Sequence, residues 1–380
     1  MTHDELQSKT ISYLRFPLTL GIIFIHFDLI EHVFTYHGVQ YGLDRPLWYV
    51  FIINFFSEVL PQIGVPLFFI ISGYLFFHGV DFNGNVWQQK LRKRARTLLV
   101  PYLLWNLVAI LIHAFYLIPG LFPNAGQEQI CITPLRLFHT FFANFPNQGI
   151  FVMPADSAVT VGGFPYPVNL PMWYVRDLMV MVLLSPVVFW LIQRLGKYIV
   201  ILLGIVYFFY HPLFEPDGSW GVLMSQAAFF FSWGAYYAIR KEGFVERFRR
   251  CPYMPLLYLP VAMADALTRG AGYNLYIHQA GVLLGVVSAV VIVAGLLEKG
   301  RVHVNATLAG SSFFVYALHT SIMFEVSKVV FILFRLSDNL WSMLILYFAT
   351  PVFTAAICVV LYILLKRYIP SLCNLLTGGR

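Results

Sequence analysis

The 380-residue chain is 59% hydrophobic and 11% charged, against about 25% charged residues in soluble domains, and its mean hydropathy is +0.72. Too little polar sequence remains to cover a soluble core, and several apolar runs reach the roughly 20 residues that an α-helix needs to cross a bilayer. The net charge of +7 could point to nucleic acid, but its distribution follows membrane topology, so the expected class is an all-α polytopic membrane protein with residues 1–380 as one integral-membrane domain.

No basic stretch with an A-x-A-like site opens the chain, so the first apolar run is expected to stay as a membrane helix. Taken in order, the apolar runs predict ten spans: 11–31, 57–79, 97–118, 171–192, 198–214, 221–239, 253–268, 275–297, 308–334 and 341–365. Residues 47–56 (LWYVFIINFF) read as an interfacial lead-in to the second. One long connection, 119–170, contains PGLFPNAG, NFPNQG and GGFPYPVNLP and is turn-rich. Its FHTFFANF segment suits an amphipathic helix on the membrane or over a site. With both termini cytoplasmic, most of the 25 Lys and Arg fall inside, and only Arg45, Arg136, Arg269 and Arg335 outside, as the positive-inside rule requires. Asn83 is then inside and Asn147 outside, and the expected location is the inner cell membrane. The four cysteines form no CxxC pair, so neither a disulfide framework nor a metal site is expected. No internal repeat of transporter type is visible.

Charges inside a span are costly unless paired or hydrated, so each marks a candidate site. The first span, YLRFPLTLGIIFIHF (residues 13–27), carries Arg15 and His26. They lie about 20° from eclipsed with roughly 16 Å of rise between them. One face therefore presents a fixed cation near the inside and an imidazole farther out. The blander readings are snorkelling for Arg15 and a packing hydrogen bond for His26. The second span ends in GVPLFFIISGYLFF, where Pro66 can break the helix and Ser72 is a hydroxyl in the inner half. Gly64 and Gly73 equally suit a tight helix seam.

Next comes QKLRKRARTLLVPYLLW, with Arg92, Lys93, Arg94 and Arg96 at the inner mouth. Besides obeying topology, these cations suit the phosphates of a cytosolic ligand. No Walker or GxGxxG loop accompanies them. In PMWYVRDL, Trp173, Arg176 and Asp177 stand near the outer end of the fourth span. Adjacent helical residues do not face each other, so Arg176 and Asp177 are expected to seek different partners. The ninth span places His319 at a depth similar to His26, with Glu325 and Lys328 farther out and able to pair. Asp28, Glu31, His32 and Glu58 read as interfacial, as do His113, His211 and His278. No HExxH-type spacing appears.

The R-x10-H of Arg15 and His26, Gly64-x3-Phe68-x3-Ser72-Gly73-Tyr74, the basic stretch running into Pro101-Tyr102, Met172-Trp173-Tyr174 and Tyr316-x2-His319 are similar, in order and spacing, to one family. Together they resemble the integral-membrane acyltransferase-3 family, the O-acyltransferases that decorate envelope polysaccharides, over residues 11–365. The resemblance implies a ten-helix domain that takes an acyl group, usually acetyl, from cytosolic acyl-CoA. It implies delivery to a saccharide hydroxyl on the extracytoplasmic side, with acyl-CoA as co-substrate and no permanently bound cofactor. The implied partners are acyl-CoA, an envelope saccharide and the lipid bilayer, with no nucleic acid. It further implies that His26 is essential, that Arg15 supports it, and that the basic residues after the second helix bind the donor. The family's R-x2-R spacing is absent, so Lys93-x2-Arg96 or the alternating Arg92, Arg94 and Arg96 must substitute. No hydrolase-like domain is visible, so transfer is expected to finish within the membrane domain.

Acyl transfer needs a base for the acceptor hydroxyl and positive charge or donors around the developing oxyanion. His26 is expected as that base, or as a transient acyl carrier, with Arg15, His319 and Glu325 as catalytic partners. Ser72 joins the basic cluster as a donor-site candidate, and Trp173, Arg176 and Asp177 are acceptor-site candidates. The competing expectations are a secondary transporter or flippase, which would move solute without consuming acyl-CoA, and a non-catalytic receptor, which would tolerate loss of His26.

Overall fold

The computed structural model describes residues 1–30, 33–118, 128–143, 148–152, 166–214 and 220–379, without the side chains of 210–214 and 220–223. Glu31, His32, Asn147 and Arg380, the His211 side chain and most of the 119–165 connection lie outside the described residues.

The helices run α1 (His3–His26), α2 (Leu47–Ile53), α3 (Gly64–Phe77), α4 (Gly84–Arg94), α5 (Val100–Tyr116), α6 (Pro134–Phe142), α7 (Trp173–Leu183) and α8 (Ser185–Leu195). There follow α9 (Lys197–Phe214), α10 (Trp220–Ile239), α11 (Phe244–Arg249), α12 (Met254–Leu267), α13 (Asn274–Glu298), α14 (Ala306–Leu333), α15 (Leu340–Tyr368) and α16 (Pro370–Thr377). Each of the ten apolar runs expected from the sequence is helical over most of its described residues, the first ending at His26. Among the described residues five helices are long and apolar enough to cross a membrane: Leu47–Phe77, Gly84–Tyr116, Asn274–Glu298, Ala306–Leu333 and Leu340–Tyr368. A sixth is counted if the bent pair α7–α8 forms one span.

The boundaries differ from expectation where backbone chemistry intervenes. The lead-in at 47–56 belongs to the second span itself: a π-helical turn (Asn54–Val59) and a 3-10 turn (Leu60–Ile63) join α2 to α3. The irregularity falls ahead of Pro66, at Pro61, which has no N–H to continue the ladder. Pro66 itself sits inside the first turn of α3, where a missing donor costs little. The expected fourth span bends by 61° between α7 and α8. Pro186 cannot donate there, and the Ser185 hydroxyl caps the Val182 carbonyl at 2.7 Å.

α1 is the axis of the bundle. It buries Leu6, Thr10, Ile11, Leu14, Leu18, Ile22 and Ile23 in a helical stripe, and that stripe packs against α13, α14 and the turns preceding α3. α14 is buried almost all round between Phe314 and His319, so the two helices bring their polar groups together in the interior. α3 and α10 cross backbone to backbone. A Cβ on Gly73 would fall 2.0 Å from the Phe231 carbonyl oxygen, and one on Gly234 would fall 2.0 Å from that of Ile70.

A short antiparallel hairpin, β1 (Phe34–Tyr36) and β2 (Val39–Tyr41), follows α1. Its two-residue turn places His37 and Gly38 at φ 49° and 78°, the positive values that a type I′ turn demands. Phe34, Tyr36 and Tyr41 pack around Phe331 of α14 with ring centroids 5.1, 5.3 and 4.9 Å apart, so the hairpin covers the His26 end of α1. In the long connection, β3 (Gln129–Ile130) pairs with β4 (Phe151–Val152). The intervening α6 is amphipathic, as expected, and exposes Leu135, Leu137 and Phe138.

Candidate active site

Two cavities flank α1, one at each of its sequence-predicted polar residues. The first, about 250 Å³, is lined by Arg15 and Thr19 of α1, Phe68 and Ser72 of α3, Arg94 of α4, Tyr174 of α7 and Tyr316 of α14. Ser72 Oγ lies 3.0 Å from the Tyr174 hydroxyl, which donates to the Phe68 carbonyl at 3.2 Å. Neither Arg15 nor Arg94 forms an ion pair among the described residues, so two guanidinium groups face one cavity without a carboxylate. Paired, half-buried cations of this kind favour an anionic ligand, and guanidinium forks match phosphate or carboxylate oxygens.

The remaining basic residues divide by location. Arg92, Lys93 and Arg96 are exposed and do not line the cavity. Lys90 turns away from it, donating to the Phe76 carbonyl and lying 5.1 Å from the centre of that ring. The spacing could not choose among these cations because the choice depends on how α4 packs, and the π-helical turn at Ala95–Leu99 that carries Arg96 breaks the α-helical register between α4 and α5.

The second cavity, about 200 Å³, opens beside His26 and is lined by Phe27, Asp28, Phe34, Thr35, Phe324, Ser327 and Lys328. The link between the two cavities runs along α14. Tyr316, at the first, has its hydroxyl bound to the Pro171 carbonyl. One turn on, His319 is fully buried, and its ring lies 5.2 Å from that of His26, tilted by 34°. His319 Nδ1 is 2.8 Å from the Tyr316 carbonyl and 3.3 Å from that of Val315. Carbonyl oxygens only accept, so Nδ1 carries a proton and Nε2 of the neutral ring presents a lone pair. That Nε2 is buried without a hydrogen-bond partner. His319 therefore stands beside His26 in a fixed tautomer, as an acceptor.

Asp28, expected as an interfacial group, is enclosed by the protein. It is 2% exposed, lines the His26 cavity and receives the Ile30 N–H at 2.6 Å. α1 ends at His26, and this turn folds the carboxylate back under the hairpin; the hairpin was not anticipated, so neither was Asp28. Glu325 pairs with Lys328 at 2.9 Å, as the i,i+3 spacing suggested. It lines a neighbouring cavity rather than that of His26.

Arg176 and Asp177 bind each other, contrary to the expectation of separate partners. Arg176 Nε donates to Asp177 Oδ1 at 2.7 Å, with the side chains 2% and 0% exposed. The long arginine stem folds back over the first turn of α7, because an unpaired charge at such burial costs far more than a bent rotamer. The guanidinium also donates to the Phe142 carbonyl at 2.7 Å and lies over that ring. The pair thus ties α7 to α6 and lines neither cavity, and Trp173 lies beside Tyr166, 6.2 Å away between ring centres.

His278 and Glu58 are likewise more than interfacial groups. His278 Nδ1 is 2.8 Å from the buried Asp265, and Arg269 bridges to Glu58 at 3.3 Å. These bonds fasten the α12–α13 hairpin to the π-helical turn after α2. His113 pairs with Glu128 at 2.7 Å. All three partnerships join residues far apart in sequence or lying in loops, which helix-by-helix reading does not see.

The sequence profile described as an acyltransferase domain (acyltransferase-3) matches residues 9–363. The succinoglycan biosynthesis protein ExoH of Rhizobium meliloti (strain 1021) is 27% identical over 392 residues, which cover 99% of this chain and 94% of ExoH. No solved structure matches the chain.

Proposed function

The chain belongs to the acyltransferase-3 family of membrane O-acyltransferases, and from that premise we propose that it acylates a hydroxyl of an envelope polysaccharide, using cytosolic acyl-CoA as donor and acetyl as the acyl group. The observation that carries the reading is the placement of two unpartnered guanidiniums and an imidazole at separate cavities along one helix, α1. The name of the relative ExoH, a succinoglycan biosynthesis protein, supports a polysaccharide acceptor. Arg15 and Arg94 hold donor phosphates. His26 takes the proton of the acceptor hydroxyl as its oxygen forms the new ester bond; the carbon–sulfur bond breaks and CoA leaves as the thiolate. His319, whose ring lies 5.2 Å from that of His26, holds that ring in place by contact, and Asp28 stabilises the imidazolium. Ten spans, both termini cytoplasmic, put the donor end inside and the His26 end outside the inner membrane.

Mass spectrometry of the host's surface polysaccharide, with and without this protein, tests the reading: loss of an ester-linked acyl group is expected on deletion. A polysaccharide unchanged in acylation but altered in amount or export would favour a transporter instead.

The cavity predicts which cation matters. Arg94→Gln should raise the KM for acyl-CoA by about 10- to 150-fold, corresponding to about 1.5–3 kcal/mol for hydrogen bonds to a charged group. Arg92→Gln and Arg96→Gln, on the exposed side, should change it by less than about threefold, as surface charges do. Equal effects at all three positions would make the cluster a topological signal only.

The orientation is checked by cysteine accessibility in a background with the four native cysteines replaced by alanine. Asn83→Cys should react with a membrane-impermeant maleimide only from the cytoplasmic side, and Gln40→Cys only from outside. The opposite pattern would reverse the direction of transfer.

A further inference from the structure

Beside the His26 cavity lies a further cavity of about 280 Å³ between α5 and α14, lined by His113, Tyr116, Asn169, Thr320, Ser321, Phe324 and Glu325. Phe324 lines both cavities. The Glu325–Lys328 ion pair straddles the boundary, with Glu325 on this cavity and Lys328 on that of His26. The two spaces are therefore neighbours along one face of α14 and share Phe324 in their walls.

The polar groups of this cavity are built rather than incidental. Asn169 is 2% exposed. It is held by its Nδ2 on the Ala317 carbonyl at 3.0 Å and the Trp105 carbonyl at 3.3 Å, while its backbone N–H donates to Asn106 at 3.1 Å. Its Oδ1 is nevertheless buried with no hydrogen-bond partner. A rigidly held amide with an orphaned acceptor costs free energy unless a ligand satisfies it. The hydroxyls of α14 give a second, independent sign. Ser311, Ser312 and Ser327 donate back to their own helix, to Leu308, Leu308 and Phe324. Thr320 and Ser321, the two on this cavity, have no such bond. Serine and threonine inside a helix ordinarily satisfy themselves in that way.

The inventory is neutral hydroxyls, an amide acceptor, an imidazole paired with Glu128, the Glu325 carboxylate held by Lys328, and the rings of Tyr116 and Phe324. Alternating donors and acceptors beside aromatic faces suit a polyhydroxylated ring and give no net positive site for a phosphate. At about 280 Å³ the cavity falls just below the roughly 300–1,000 Å³ of drug-sized ligand sites, so it holds one sugar residue rather than a chain.

Resting on the acyltransferase reading above, we propose that this cavity is a second saccharide subsite, which binds the sugar residue adjacent to the one acylated at His26. A polymer would lie across Phe324 with one residue in each cavity. Specificity for position in the polymer then comes from this subsite and not from the reacting centre.

The test uses the purified full-length protein and two acceptors released from the host's own surface polysaccharide by partial acid hydrolysis, a monosaccharide and a disaccharide. Transfer from labelled acyl-CoA and donor-free binding by calorimetry are measured for the wild type and for Thr320→Val/Ser321→Ala, a near-isosteric pair that removes only hydroxyls. The expected result is a wild type that prefers the disaccharide, with the preference reduced about tenfold or more in the variant, the loss of two hydrogen bonds between neutral groups. A variant that retains the full disaccharide preference and disaccharide binding would overturn the subsite while leaving the acyltransferase reading intact. A wild type that transfers acyl groups to neither sugar nor to the intact polymer would overturn both.

Discussion

His26→Ala is expected to lower acyl transfer by a factor on the order of 10² to 10⁴, the usual contribution of a positioned general acid or base, while leaving the amount of folded protein unchanged. The ring is half-buried at the end of α1 and faces a cavity rather than a packed seam, so its removal enlarges an existing space instead of opening a new one in the core. On the ten-span reading, taking an imidazole out of α1 also removes a group that hydrocarbon disfavours. His26→Gln retains a hydrogen-bonding side chain of similar reach but cannot titrate, and should be nearly as inactive. A purely structural histidine predicts the reverse order, with glutamine close to wild type and alanine poorly folded. His319 separates the two roles further. Its Nδ1 is tied to backbone carbonyls of its own helix, so His319→Asn should weaken turnover through a mispositioned His26 and leave the KM for acyl-CoA near its original value. Detergent-extracted yield, turnover and donor KM for the four proteins decide between these accounts. An active, well-folded alanine variant at position 26 would remove it from the mechanism.

What could be read in advance follows from how far each interaction reaches along the chain. Helices were legible because hydrophobic periodicity is local: α13, α14 and α15 coincide closely with apolar runs, while α1 starts eight residues before the expected span and ends at His26 rather than at 31. Arg15, His26 and His319 were legible because a polar group in such a run has few explanations. The angular choice among Arg92, Arg94 and Arg96 was not, since it depends on how α4 packs and on the π-helical turn in which Arg96 lies. Asp28 was hidden for another reason. Its burial depends on the β1–β2 hairpin, whose type I′ turn uses His37-Gly38, a weaker signal than the Asn-Gly or Asp-Gly that such turns favour. The Arg176–Asp177 pair misled because the rule that neighbours on a helix diverge describes short side chains on a solvated surface. Inside the protein the energetic need to pair a buried charge dominates. The cavity beside that of His26 could not be read at all, because Asn169 and Ser321 come to line one space only once α14 stands against the segment entering α7.

The largest structural effect is expected at the crossing of α3 and α10. Gly73→Val or Gly234→Val should abolish recovery of folded protein. The clash in each case is with backbone: a Cβ at Gly73 would lie 2.0 Å from the Phe231 oxygen and 3.1 Å from the Ala235 nitrogen, and one at Gly234 would lie 2.0 Å from the Ile70 oxygen and 2.9 Å from the Tyr74 nitrogen. No rotamer change relieves contacts of that kind, so the helices must part, and every close contact along the crossing is lost with them. Overpacking that side chains can absorb costs about 1–3 kcal/mol, and a backbone clash shared by two helices exceeds it. The consequence reaches the site, because Ser72 precedes Gly73 and its hydroxyl meets Tyr174 at 3.0 Å. Even the milder Gly73→Ala, where some protein folds, should therefore turn over more slowly than its yield accounts for. Gly295→Ala is the control: that position has open space around it, and exchanging a mid-helix glycine for alanine should be neutral or stabilise by up to about 1 kcal/mol. Size-exclusion profiles and thermal midpoints of detergent-extracted protein measure all of these. Wild-type profiles for both valine variants would mean that α3 and α10 do not touch, and the wall of the Arg15 cavity that carries Ser72 would have to be rebuilt.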